Sequence, residues 1–348
     1  VLQRFAAWLA QVTALPVGHP DDGLVAHSAG TPIDKPWPEL LQEVQDASQA
    51  WRRNPRAKRL VSLITANTVC HGIQLSSEQD GLLTFIAAFW SENRLEQRLD
   101  EWSDELVRSG ELFPVLYPNP AGGMVQVRIR PASVIERIIW QPGDYETEVR
   151  YQEAVPLGAP EKWWSSPADP QRPQLSPVML HYAVNRPVGA LRGESDLAAI
   201  LPWLRRYSRW LEDRVRLNAA VRTFLWIVKA SRPLKEQLAA QYRRPPEAGS
   251  VIVADRDHED WEAVAPNLRA ADASHDGRAI RWMIAAGGPG TSLLDFGEGE
   301  DANLATGKAM AEQRRRFLRR RQAYLAWLLT DLVLNAYRLQ QGAEGERV

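Results

Sequence analysis

The chain has 348 residues, 45 % hydrophobic and 24 % charged, enough to bury a substantial core in one large or two ordinary domains. With 42 basic and 43 acidic residues the formal net charge is -1, which argues against a protein that grips nucleic acid through a basic excess. No apolar run approaches the roughly 20 residues that cross a bilayer, and the single cysteine, Cys70, rules out an intrachain disulfide and fits a reducing compartment.

In chain order, Val1 to Ala10 is amphipathic, interrupted by Gln3 and Arg4, and lacks a secretory pattern. The chain does not open on Met, which leaves room for residues ahead of Val1. Residues 18–38 are rich in Pro, Gly and Asp and read as an extended arm. From Glu39, Leu40, Leu41, Val44, Ala47 and Trp51 recur at helical spacing. Asn54 then caps a new helix with Pro55 at its first position and Leu60, Leu63, Ile64 and Asn67 on one face, ending near Gly72. Helices at 81–90 and 95–109 follow, the second stopped by Gly110.

The period then shortens to that of strands. Residues 112–117 and 124–130 read as a strand pair. Val125, Val127 and Ile129 give the second strand a dry face, and Gln126, Arg128 and Arg130 a wet one. Residues 134–140 and 145–151 form a second hairpin across Pro142-Gly143-Asp144. Residues 157–177 read as a Pro/Ser-rich loop holding Trp163 and Trp164, and 178–184 as a last short strand. Next, Ser195 caps the longest helical pattern: Leu197, Ile200, Leu204, Tyr207, Leu211, Val215, Asn218, Val221 and Leu225. Continuous to Lys229 it would run about 50 Å, with a kink at Pro202.

A mixed segment at 230–272 follows, with a helix at 233–242, a Pro245-Pro246 turn and a strand at 250–254. A short helix at 274–286 ends at Gly287-Gly288-Pro289-Gly290, and an acidic, Gly-rich loop carries Asp295, Glu298, Glu300 and Asp301. The last helix spans 305–339. Its first half is basic (Arg314, Arg315, Arg316, Arg319, Arg320, Arg321) and its second half apolar (Tyr324, Trp327, Leu328, Leu332, Leu334). The fold class is α+β, mostly helical.

Candidate chemistry is sparse. Residues 302–309 end in Gly307-Lys308 but lack the first glycine and the hydroxyl of a phosphate loop. Gly287-Gly288-Pro289-Gly290 follows a helix rather than a strand, so it is no dinucleotide fingerprint. Asp255, Asp257, His258, Glu259 and Asp260 crowd one polar turn without the one-face spacing of a helical metal motif and read as a solvated acidic loop rather than a metal site. Cys70-His71 reads as a buried thiol beside a helix-terminal His rather than a dyad. The six arginines of 314–321 are spread around a helix, where ion pairing competes with phosphate contact. The 14 tryptophans serve equally a core or an interface. No catalytic residue, cofactor or metal site is predicted.

The order of these elements carries a resemblance. Gly110-Glu111-Leu112-Phe113 opens a strand, and a segment Arg130-Pro131-Ala132-Ser133-Val134-Ile135-Glu136-Arg137-Ile138 follows. Then come His181-Tyr182-Ala183-Val184-Asn185-Arg186-Pro187 and Leu191-Arg192-Gly193-Glu194-Ser195-Asp196-Leu197, which leads into the long helix. The chain after about Trp37 resembles the portal proteins of tailed bacteriophages. The resemblance implies an N-terminal arm at 1–38, a wing at 39–194, a stem helix at 195–229 and a clip at 230–272. A second stem helix at 273–286, a tunnel loop at 287–303, and a wing/crown helix with tail at 304–348 complete it. The chain ends soon after that helix, so the crown would be small, and the 157–177 loop has no counterpart.

The resemblance further implies a ring, usually of twelve subunits, at one capsid vertex of a virion assembled in the host cytoplasm, with no membrane role. Double-stranded DNA would pass through its channel during packaging and ejection. Implied partners are the terminase large subunit, the major capsid protein, head–tail connector or adaptor proteins and a scaffolding protein. Ser292, Leu293, Leu294, Asp295, Phe296, Glu298, Glu300 and Asp301 would face DNA, with the apolar residues narrowing the channel and the acids repelling phosphates. Arg278 and Arg281 would line the stem, and Tyr242, Arg243, Arg244 and Trp261 would dock the motor. Two other classes compete. One is a Trp-rich carbohydrate-active enzyme built on Trp163 and Trp164, which needs a facing carboxylate pair. The other is a helical DNA-binding regulator using residues 314–321.

Overall fold

The computed structural model describes residues 30–69, 72–119, 123–221, 225–230, 259–264, 272–296 and 304–345. They divide into two compact units. The first comprises Val1–Gln49, Val61–Ala198 and Arg319–Val348, the second Ala50–Leu60 and Ala199–Leu318. The fold is α+β with a mixed sheet.

Helix α1 (Trp37–Arg53) buries Leu40, Val44 and Ala47, one apolar stripe at helical spacing. Helix α2 (Pro55–Thr68) begins as expected: Asn54 Oδ1 accepts the Arg56 and Ala57 N–H groups at 3.0 and 3.3 Å, satisfying donors that have no partner within the helix. Its buried face is Ala57, Leu60, Val61 and Ile64, while Asn67, expected on that face, is exposed. Helices α3 (Asp80–Glu92) and α4 (Leu95–Ser109) follow. Gly110 ends α4 at φ +79°, its N–H bonding the Leu106 carbonyl. A Cβ there would also lie 2.4 Å from the Glu194 backbone, so glycine is required twice over.

The sheet of the first unit runs β2-β1-β6-β5-β4-β3, with β7 also on β1. Its strands are β1 (Glu111–Tyr117), β2 (Gln126–Arg130), β3 (Ile135–Gln141), β4 (Asp144–Glu153), β5 (Lys162–Ser165), β6 (Val178–Met179) and β7 (Tyr182–Ala183). All neighbours are antiparallel except β5 and β6, which pair in parallel at Ser165 and Val178. Strand β1 is buried on both faces. Leu112 and Leu116 enter one core with Phe89, Leu99, Trp102 and Val127; Phe113 and Val115 enter another with Ile135, Ile138, Tyr151 and Met179. This explains its unbroken apolar run.

The first core is closed by helix α7 (Leu304–Gly345), which contributes Leu325, Leu328, Leu329, Leu332, Val333 and Ala336 at helical spacing. Tyr182 Oη donates to Asp331 and Tyr324 Oη to the Ala183 carbonyl, each at 2.8 Å, fixing the helix to β7.

The second unit packs α5 (Leu201–Val221) against α6 (Asp272–Gly287). The two approach closely at Gly277, where a Cβ would meet the Trp210 ring at 2.5 Å. Strands β8 (Leu225–Ala230) and β9 (Glu259–Val264) form a separate antiparallel ribbon.

Four expectations are corrected. The 157–177 stretch is not all loop, because Lys162–Ser165 joins the sheet through β4. The strand expected at 178–184 is two short pieces, both on β1. The long helix does not reach Lys229: it ends at Val221, and Leu225–Ala230 is a strand. The sequence there (Trp226, Ile227, Val228) is aromatic and β-branched, which favours the pleated conformation although the apolar spacing also fits a helix. Pro202 does not kink a helix, because a 3₁₀ turn (Ala198–Ile200) precedes α5 and places Pro202 in its first turn, where no N–H is needed. The helix expected at 233–242, the Pro245-Pro246 turn and the strand at 250–254 lie outside the described residues. Among the described residues no helix is long and apolar enough to cross a membrane.

Candidate functional site

The predicted DNA-facing loop begins as a fixed turn in the second unit. Gly290 takes φ +64°, and the Thr291 hydroxyl donates to the Gly288 carbonyl at 2.9 Å. A 3₁₀ turn (Leu293–Phe296) follows. Ser292 donates its N–H and its hydroxyl to Asp295 Oδ2 at 2.8 and 2.9 Å, while Arg314 pairs with Asp295 Oδ1. The Arg56 guanidinium lies 5.1 Å from the Phe296 ring centroid and 4.8 Å from that of Tyr207, within cation–π range of both. Asp295 therefore spends its charge inside the unit, and its side chain is only 7 % exposed. Leu294 and Phe296 are half-buried, Leu293 lies in the same turn, and Glu298, Glu300 and Asp301 lie outside the described residues.

The arginines of α7 divide. Arg314 goes to Asp295. Arg321 Nη2 donates to both Asp196 oxygens at 2.9 Å, with Asn185 Nδ2 on Asp196 Oδ1 at 2.8 Å. Arg315 and Arg316 share Glu312 at 3.3 and 3.5 Å, and Arg319 and Arg320 are exposed. Ion pairing thus accounts for much of a run that a DNA-binding reading would assign to phosphate.

The passage from His181 to Leu197 meets β1 and β4 in a buried ionic network of the first unit. Arg192 pairs side-on with Glu111, Nε to Oε1 and Nη2 to Oε2, both at 2.8 Å. Its remaining terminal nitrogen, Nη1, donates to the Ile135 carbonyl at 2.9 Å, and Gly193 N–H donates to Glu111 Oε1 at 3.0 Å. Asp34 accepts the Arg192 and Leu191 N–H groups at 2.9 and 3.1 Å.

The His181 side chain, 1 % exposed, sits between two carboxylates: Nδ1 is 2.8 Å from Glu148 Oε1 and Nε2 is 3.3 Å from Glu111 Oε1. The first is a hydrogen bond, the second an ionic contact without good alignment. Phe113 stacks on its ring at 4.4 Å and 4°. Burial opposes the imidazolium, yet Glu148 and Glu111 outweigh it and lift the His181 pKa to about 9. Burial likewise opposes the Glu111 carboxylate, while Arg192 and His181 hold it at about 2. Two cations thus meet two anions, with Arg192, His181 and Glu111 cut off from solvent and Glu148 only 13 % exposed. The chemistry this supports is that of a joint, which fixes the chain leading into α5, rather than acid–base catalysis.

At the other aromatic candidate, Trp164 Nε1 donates to Glu153 Oε1 at 2.9 Å. Arg130 and Lys162 also bind Glu153, at 2.6 and 2.8 Å, and keep its pKa low against burial. Trp163, partly exposed, donates to Glu161. The carboxylate beside the Trp pair is saturated with cations, which is unsuited to a glycosidase acid or nucleophile.

On α6, Arg278 is exposed and Arg281 half-buried. Tyr242, Arg243 and Arg244 lie outside the described residues, as do Cys70, His71, Asp255, Asp257 and His258. Trp261 lies in β9 opposite Val228. Gly307 and Lys308 fall inside α7 rather than in a phosphate loop. No group of His, Cys, Asp or Glu suited to a metal occurs among the described residues.

The sheet, its helical cover and the α5–α6 pair define a fold found in chains of gene transfer agent (GTA) particles. In particular, the chain superposes on one from the neck of a native GTA particle computed with C12 symmetry. The TM-score is 0.55 at 16 % identity, over 88 % of this chain and 83 % of that one. A chain from the neck of an empty GTA particle, computed with C6 symmetry, gives 0.55 and 16 % over 86 % and 82 %. One from the virion of a native GTA particle gives 0.52 and 16 % over 87 % and 81 %. No protein-family model matches the chain, and no curated protein does.

Proposed function

We propose that this chain is a ring-forming portal subunit of a tailed-phage-like particle, a structural protein through which double-stranded DNA enters and leaves the capsid. The observation that carries the reading is the likeness over nearly the whole chain to subunits of particle necks solved with C6 and C12 symmetry. The order of Gly110-Glu111-Leu112-Phe113, His181 and Arg192-Gly193-Glu194-Ser195 ahead of α5 supports it independently. In this reading residues 39–194 form the wing and α5 the first stem helix. Residues 230–272 form the clip, where a packaging motor and later head–tail connectors dock, α6 the second stem helix, 287–303 the tunnel loop, and α7 the return to the wing.

The buried network has a role here. A stem helix that transmits packing forces needs a rigid root, and Arg192–Glu111 with His181 supplies one immediately before α5. DNA is guided rather than held, because the chain has no net basic charge and Glu298, Glu300 and Asp301 keep the loop acidic after Asp295 is neutralised. Imaging of particles assembled with a tagged copy tests the proposal: the tag is expected at one vertex, on a closed ring around an axial channel. A tag spread over the shell, or absent from particles, contradicts it.

A further inference from the structure

Helix α6 carries an apolar stripe that the described residues of its own unit leave uncovered. Ala279, Trp282, Met283 and Ala286 follow one another at three- and four-residue spacing, and all are exposed: Trp282 by 55 % and Met283 by 45 %. The opposite side of the helix is the packed one. There Gly277 closes on Trp210, and Ile284 is fully buried.

A second patch lies on α5. Leu204, Ser208, Leu211 and Val215 form one stripe of that helix. Its beginning is covered, since Leu204 is buried and Ser208 accepts a hydrogen bond from Asn54 at 3.3 Å. Its end is open, with Leu211 43 % and Val215 70 % exposed. Exposed apolar side chains clustered in this way mark an interaction face.

We infer that the α6 stripe of Ala279, Trp282, Met283 and Ala286 packs against Leu211 and Val215 on α5 of a second copy of this chain. Three observations select that occupant. The two patches sit on different helices, so a twofold pairing of either patch with itself would leave the other bare. A head-to-tail contact covers both with one interface and closes into a ring when the rotation allows. The rims are of mixed sign: Asp276 and Arg278 flank the α6 stripe, and Glu212 and Arg214 the α5 patch. Such rims suit a second copy and not a polyanion. Finally, the cyclic symmetry of the matching necks is that of a head-to-tail ring, and in this respect the inference rests on the ring reading above.

The test is disulfide trapping in the full chain with Cys70→Ser as background. Four double variants combine Leu211→Cys or Val215→Cys with Ala279→Cys or Met283→Cys, and the four single variants are controls. Mild oxidation of assembled material, imaged in parallel, is expected to give a ladder of covalent oligomers in at least one double variant and none in the single variants. Covalent dimers from a single variant would show a patch meeting itself and overturn the inference. Closed rings that no double variant cross-links would overturn the face assignment while leaving the ring intact. Material that neither assembles nor cross-links would overturn both. As a second measurement, Trp282→Arg is expected to raise the concentration needed for assembly at least about tenfold without changing the melting of the monomer. Unchanged assembly in that variant also counts against the contact.

Discussion

The guanidinium of Arg192 lies side-on to the carboxylate of Glu111, with two hydrogen bonds of 2.8 Å, and both side chains are cut off from solvent. The pair joins the first strand of the sheet to the segment that leads into α5. Glu111 also accepts the Gly193 N–H, so the turn and the salt bridge form together.

Glu111→Gln should therefore be severe, because it strands Arg192 and His181 without their shared anion. We expect a loss of about 3–5 kcal/mol, read as a lower denaturant midpoint at an unchanged slope. A variant within about 0.5 kcal/mol of the parent would show that the network is not a structural joint.

The same network sets a pH window. The His181 pKa is about 9 in the folded chain against 6.5 for the free side chain, so its stabilisation is complete below about pH 6.5 and is lost as pH rises through 9. The Glu111 pKa is about 2 against 4.5, so its stabilisation is complete above about pH 4.5 and is lost as pH falls through 2. Both are fully present between those two limits. Thermal melting across pH should show an alkaline decline that His181→Gln flattens while lowering stability at pH 6. An alkaline limb of the same slope in that variant would place its origin elsewhere.

Gly110→Ala meets two obstacles, a left-handed φ of +79° and the Glu194 backbone 2.4 Å from the new Cβ. A loss of at least about 2 kcal/mol is expected in denaturant unfolding. Gly143→Ala, also at positive φ but with open space around it, should cost about 1 kcal/mol.

The acids of the proposed tunnel loop should separate by role. Asp295→Asn removes the charge that pairs with Arg314 while its Oδ1 can still accept from Ser292, and is expected to lower stability by about 1 kcal/mol, discounted because Arg314 is partly solvated. Neutralising Glu298, Glu300 and Asp301 together should leave melting unchanged and slow packaging. Equal packaging rates in the triple variant and the parent would remove the loop from the mechanism.

Much of this architecture is legible where one residue has one local job. Asn54 with Pro55, Gly110 after α4, and the alternation of Val125 and Val127 with Gln126 and Arg128 each declare an element. Elements whose existence depends on a distant partner are not legible. The four residues of β5 are a strand because β4 offers an edge, and β8 is a strand because β9 pairs with it, although its apolar spacing also continues a helix. The candidate site divides in the same way. His181 and Arg192 stand out in the sequence pattern, but Glu111 and Glu148 join them only through the order of the sheet. Composition alone groups Asp295 with its acidic neighbours and cannot register that Arg314 pairs with it.

The central claim is that these chains close into a ring on a particle axis. The most direct measurement is symmetry-free image reconstruction of the vertex in particles carrying the tagged protein. The expected image is a closed cyclic ring with α5 and α6 surrounding a channel wide enough for duplex DNA. A monomer or twofold dimer at that vertex, or a ring whose axis is blocked, would contradict it.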